Sequence, residues 1–167
     1  MPDFINQGEF AIIREGQLEA YLQTCCGLIY HANGIIGFAH SIVPSESEYY
    51  FRRGYLIEND KELPQEFLVT PTQTAEKLLE EILAQETGAP LKAYIFGCQM
   101  EESKIGLKNA DEIKKVLKQL KIPIKYDFTE LLFDTKLIIT PEKINITLCN
   151  SPFTKDLTRE IKLKWIN

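Results

Sequence analysis

The sequence has no apolar run that approaches the ~20 residues a bilayer-spanning helix requires, so membrane insertion is not expected. It also lacks a basic excess. With 19 Lys and Arg against 24 Asp and Glu, the formal charge is −5. Nucleic acid and anionic membranes both call for a basic surface, which argues against either as the main partner. The opening residues, MPDFINQGEF, have neither the basic start nor the apolar centre of a secretion signal, and the expected location is the cytoplasm. No repeat, low-complexity stretch or linker divides the chain. Its 167 residues suit a single domain spanning 1–167, with enough material for a hydrophobic core.

Metal-ligand spacing is missing too. Cys25 and Cys26 are adjacent, Cys98 and Cys149 stand alone, and the two histidines, His31 and His40, form no finger-like pair. No metal is expected, and in a cytosolic chain the four cysteines are expected to be reduced.

What is present is strong periodicity. From Ala75 to Thr87 the residues Ala75, Leu78, Leu79, Ile82 and Leu83 fall on one stripe of a helix that Gly88 and Pro90 stop. A second helix is expected from Ala110 to Lys121, with Ile113, Val116, Leu117 and Leu120 on its stripe. Asn109 and Glu112 resemble a capping box for it. KINITLC alternates cleanly, as does REIKLKWI, where Ile161, Leu163 and Trp165 oppose Glu160, Lys162 and Lys164. Asn150 to Pro152 break the run between them, which favours antiparallel pairing. LKAYIF and IKYDF read as more central strands. The expected fold class is α+β, with helices covering one side of a largely antiparallel or mixed sheet. YYFRRGY, Tyr49 to Tyr55, reads as an exposed strand and turn, or as a docking strip that offers Arg52 and Arg53 to carboxylates.

The chemistry-bearing residues gather in LQTCCGLIYHANGIIGFAHSIVP, Leu22 to Pro44. Two short apolar runs flank Asn33-Gly34, a strong hairpin signal. A hairpin there brings cysteine and histidine onto neighbouring strands, and a thiol beside a neutral imidazole can perform acyl transfer. Parity separates the two cysteines. Leu18, Ala20 and Leu22 share one face; Glu19, Tyr21, Gln23 and, by continuation, Cys25 share the more polar one, with Cys26 turned to the core. Cys25 is therefore the expected nucleophile, half-exposed and able to ionise. His40 shares its face with Phe38 and Ile42, whose burial favours a neutral, base-competent ring.

In order, GEFAII, TCCGL, GIIGFAHSIVP, KAYIFG and IGLKNADEIKKVLKQLKIPI form a series similar to the bacterial chemoreceptor glutamine deamidase family, CheD. The resemblance runs from Gly8 to Asp127, about three-quarters of the chain. It implies an αββ three-layer sandwich, Cys25 as nucleophile and His40 as general base. Gly37 and Pro44 match the residues framing that histidine. Gly97, Ile105, Gly106 and Asn109 match a glycine loop and a helix start. The family's third catalytic residue, a threonine, has no counterpart in EAYLQ, where Glu19 has the parity to serve. Gln23 and Thr24 replace a Gly-Ser step, Cys98 replaces a second glycine, and TELLFDT follows YDF in place of a glycine-rich signature.

The implied activity is hydrolysis of glutamine side chains, and of methyl-glutamyl esters by the same route, on the cytoplasmic region of a methyl-accepting chemotaxis protein. The products are glutamate and ammonia, and no metal or organic cofactor is needed. Backbone N–H groups near Thr24 and Cys26 would hold the oxyanion. The alternative is a catalytically weak binding module on the same fold that docks a chemoreceptor or a CheC-type phosphatase.

Overall fold

The computed structural model describes residues 3–60, 63, 66–85, 88, 90–99, 104–129, 133–149 and 157–163. The strands, in chain order, are β1 (Asp3–Phe4), β2 (Phe10–Ile13), β3 (Leu18–Leu22), β4 (Cys26–Ala32), β5 (Ile35–Ser41), β6 (Lys92–Gly97), β7 (Ile124–Thr129), β8 (Asp134–Ile139), β9 (Lys143–Cys149) and β10 (Leu157–Lys162). The helices are α1 (Glu48–Asn59) and α2 (Pro71–Leu83), both before β6, and α3 (Ile105–Gln119), between β6 and β7.

Two five-stranded sheets result, ordered β2-β5-β4-β6-β7 and β1-β3-β8-β9-β10. In the first sheet, Asn33 and Gly34 make the tight turn of the β4–β5 hairpin, with Gly34 at φ +77°. A side chain resists that conformation and glycine does not. β6 and β7 run parallel, so they need a crossover, and α3 supplies it; β7 is the mostly exposed edge of this sheet, not the more central strand that IKYDF was expected to form. In the second sheet β9 pairs antiparallel with β8 and with β10, the latter pairing as the alternation of KINITLC and the last strand implies. The Lys164 to Ile166 part of that strand and the Asn150 to Pro152 break lie outside the described residues, as do Thr87 and the Glu130 to Leu132 part of TELLFDT.

Two cores lie on the two sides of the first sheet. Leu28, Tyr30, Ala39 and Ile95 pack against Leu78 and Ile82 of α2 and Ile113 and Leu117 of α3. Ile29, Ile36, Phe38 and Phe96 pack against Leu18, Leu22, Leu137 and Ile146 of the second sheet. Because both faces of β4 and β5 are covered, every residue of these strands is buried, and their near-continuous apolar sequence follows. The layers are helix, sheet and sheet, an α+β sandwich. Among the described residues no helix is long and apolar enough to cross a membrane.

The helix boundaries correct three expectations. α2 begins at Pro71, four residues ahead of the apolar stripe. There Thr70 accepts from Gln73 N–H, the Gln73 side chain returns the bond, and proline takes the first helical position. α3 begins at Ile105, after a left-handed Lys104, so Asn109 and Glu112 are interior residues and not a capping box. YYFRRGY is neither strand nor turn: it lies in α1, which has no buried residue and ends at a left-handed Asp60. Arg52 there is engaged by Glu48 at 2.7 Å.

Candidate active site

β3 belongs to the second sheet and β4 to the first, so the chain crosses between sheets through the bend at residues 23–25. That bend interrupts the strand parity from which a polar, half-exposed Cys25 was expected. Each of its carbonyls is held. Cys98 N–H donates to Cys25 O at 2.8 Å, Gln99 N–H donates to Gln23 O at 2.8 Å, and Asn109 Nδ2 donates to Thr24 O at 2.9 Å. The same Nδ2 reaches Ile42 O at 3.1 Å, just beyond β5.

The glycines around the bend are there for space. Gly97 sits at φ +81°, and a Cβ on it would strike Cys25 O. A Cβ on Gly106 would run into Gln99 O. Cys98, where the resembling family has a second glycine, itself adopts φ +56°. Loop and α3 together therefore clamp the cysteine bend.

Cys26 is buried, but in the helix-facing core with Leu28 and Tyr30, and not with Leu18, Ala20 and Leu22 as the continued parity implied; those three fill the inter-sheet core. Cys25 is only 4% exposed, not half-exposed. Its thiol is pushed up to about 12, chiefly by burial and next by the adjacent Cys26; its own backbone N–H and the Gln7 amide oppose the rise. Gln7 Nε2 lies 3.4 Å from Sγ.

His40 pairs in register with Gly27, two residues after Cys25, and is 2% exposed. A Cβ at Gly27 would meet Leu22 and Phe38, which places that register position on the inter-sheet side. Burial lowers the ring to about 4, against smaller opposing effects of the Ile5 carbonyl and the Glu9 carboxylate. Nδ1 lies 3.3 Å from Ile5 O. A carbonyl only accepts, so Nδ1 carries the proton and Nε2 the lone pair. Nε2 is buried and has no hydrogen-bond partner among the described residues.

The residues 5–8 thus touch both groups, and Gly8 N–H also donates to His40 O at 2.7 Å. At rest the pair is a neutral thiol and a neutral imidazole with no hydrogen bond between them. A sulfur held ionised by the ring, as the sequence suggested, is not the resting state, because burial penalises both charges.

Glu19 is not brought to the pair. Leu18, Ala20 and Leu22 fill the inter-sheet core, so Glu19 takes the outer face of the second sheet, where Lys136 engages it at 3.1 Å. Tyr21 Oη and Gln23 Nε2 share that outer face through Asp134, at 2.6 and 3.3 Å. Thr24 and Cys26 flank Cys25 directly.

Gln7 escaped the sequence reading, and Asn109 was read as a helix cap and not as a support of the bend. Gln7 carries no motif signal. Asn109 did carry one: it continues the apolar stripe of Ile113, Val116 and Leu120, where a buried polar side chain demands partners. A groove of about 460 Å³ runs beside the turn at Gly8, lined by Gly8, Glu9, Phe10, Tyr55, Glu66 and Phe67. Among the described residues no group of three or more His, Cys, Asp or Glu is placed to hold a metal ion. No protein-family model matches the chain, and no curated protein matches it.

Proposed function

We propose that the protein is a cysteine-dependent protein-glutamine deamidase that acts in the cytoplasm on chemoreceptor glutamines, with Cys25 as nucleophile and His40 as general base. One observation carries the reading: a histidine whose Nδ1 is pinned by the Ile5 carbonyl and whose Nε2 lone pair is unpartnered, on the strand that adjoins the cysteine bend. An orienting partner on one ring nitrogen and a vacant lone pair on the other is what a general base requires.

The neutral resting pair fits proton transfer in concert with attack. Sγ bonds to the amide carbon as its proton passes to Nε2, so a stored thiolate is not needed. Backbone N–H groups of the Thr24–Cys26 turn hold the oxyanion, a role worth ~3 kcal/mol of barrier. The imidazolium then returns the proton to the departing ammonia. Water, deprotonated by Nε2, cleaves the thioester to glutamate and restores the thiol. A methyl-glutamyl ester follows the same path with methanol as the leaving group. The scheme calls on no metal or organic cofactor.

A second reading has one observation in its favour. The seal over Cys25 suits a binding module that docks a chemoreceptor or a CheC-type phosphatase without turnover. Incubation with receptor cytoplasmic fragments, with released ammonia measured, separates the two. Release that is lost in Cys25→Ala and His40→Ala and kept in Cys26→Ala is the expected result. Release that survives Cys25→Ala overturns the assignment. Fragment binding without release from the wild-type protein favours the module.

A further inference from the structure

The side chain that covers the candidate nucleophile is itself a glutamine. Gln7 and Gly8 are the central residues of a turn that is closed from both ends: Glu9 N–H donates to Asn6 O at 3.1 Å, and Asn6 N–H donates to a Glu9 carboxylate oxygen at 2.8 Å. Gly8 permits the turn with φ +83° and is packed so closely under the Phe67 ring that a Cβ would clash. Gly8 O accepts from Leu68 N–H at 2.7 Å, and Glu9 O accepts from His40 N–H at 3.0 Å. The backbone of the turn is therefore fixed, and the Gln7 side chain is what remains movable. Gln7 is exposed as a residue, yet its carboxamide tip reaches inward to Cys25 Sγ. The sulfur thus lies one side chain beneath the surface, not deep within hydrocarbon. In register with Gly27, two residues beyond that sulfur, the buried His40 presents an unpartnered Nε2.

We propose that the Gln7 carboxamide is an internal occupant of the subsite that receives a substrate glutamine side chain, and that it must swing out before another primary carboxamide can reach Cys25. The chemistry rests on the deamidase reading; the cover itself does not. A primary amide positioned to meet this sulfur occupies the space that a substrate amide needs. Its contact is unproductive, because Nε2 donates towards Sγ and so presents nitrogen, not the carbonyl carbon, to the nucleophile. Gln7 therefore persists as glutamine. Removing the cover exchanges two effects on the thiol: it loses the amide hydrogen bond, which favours the thiolate, and it loses the Gln7 share of the burial, which opposes it, while the sulfur opens to reagent. The net result is a more reactive sulfur.

Iodoacetamide alkylation, followed at Cys25 by peptide mapping at fixed pH, tests the cover. Gln7→Ala is expected to raise the Cys25 rate about tenfold or more, with no comparable change at Cys98. Gln7→Glu keeps the length but sets a carboxylate beside the sulfur, and is expected to react more slowly than wild type. In Gln7→Ala, N-acetylglutaminamide is expected to protect Cys25, whereas the corresponding glutamate derivative is not. An unchanged alkylation rate in Gln7→Ala, with ammonia release from receptor fragments intact, overturns the cover and leaves the deamidase reading standing. Faster alkylation that glutaminamide does not slow overturns the subsite. Faster, protectable alkylation in a protein that releases no ammonia sinks the deamidase reading and leaves the occupied subsite in place.

Discussion

At His40, burial and one hydrogen bond decide the protonation state together. Its folded value of about 4 lies below the ordinary 6.5, so between those pH values the unfolded chain binds a proton that the folded protein refuses. Stability is therefore complete above about pH 6.5 and declines as pH falls towards 4, by about 3 kcal/mol in all. Urea unfolding across that range is expected to show the decline, and His40→Gln to remove about one proton's worth of slope. His31, lowered by burial and by Lys92, contributes in the same direction and remains in that variant, so the difference isolates His40. The Asn33-Gly34 turn and the alternation around Phe38 made the position of His40 legible in the sequence. The burial of Cys25 was not legible. It depends on Gln7, eighteen residues earlier, and no local pattern links a turn at Gly8 to a bend at Gln23.

α3 works at a distance from its own ends. Glu112 accepts from the backbone N–H groups of Ser45 and Thr72 at 2.7 and 3.0 Å, and from both hydroxyls, so it caps the turn before α1 and the first turn of α2. Asn109, from its side, donates to the carbonyls of Thr24 and Ile42. Asn109→Ala strands the buried carbonyl of Ile42 and the part-buried carbonyl of Thr24 and is expected to destabilise by about 2 kcal/mol in urea denaturation. Ala110→Gly, one position along, is expected to cost about 1 kcal/mol through helix propensity and about 1 kcal/mol more through the loss of its buried methyl. The stripes of α2 and α3 were readable because each faces a core, although Leu83, expected on the α2 stripe, is exposed, and their starts were not readable. The first turn of α2 is mostly polar, and Asn109 serves another segment instead of its own helix. α1 gave no helical signal because it buries none of its residues, and periodicity in a sequence records only a face that packs.

Across the whole molecule, β4 and β5 are the best-protected strands because they are covered twice. Phe38 is fully buried between the sheets, and Phe38→Ala is expected to lower the unfolding free energy by about 4 kcal/mol. Leu83→Ala, at a position 62% exposed, is expected to change it by less than about 0.5 kcal/mol in the same measurement. Strand and helix periodicity conveyed the α+β class in advance, whereas the second sheet layer was expected only from the family resemblance. What the sequence did not convey is that β3 and β4, separated by only three residues, join different sheets.

That division has a kinetic consequence. Leu18 finds its sheet partner at Ile139 and Leu22 at Thr135. During synthesis, β3 waits with an open edge while more than a hundred further residues are added. Closure of so long a loop slows folding and leaves a sticky strand available to neighbouring chains. The bend that carries the sulfur is itself clamped by Cys98, Gln99 and Asn109, more than seventy residues further on, so a nascent chain passes through a stage in which that thiol is more reactive than it is in the finished protein.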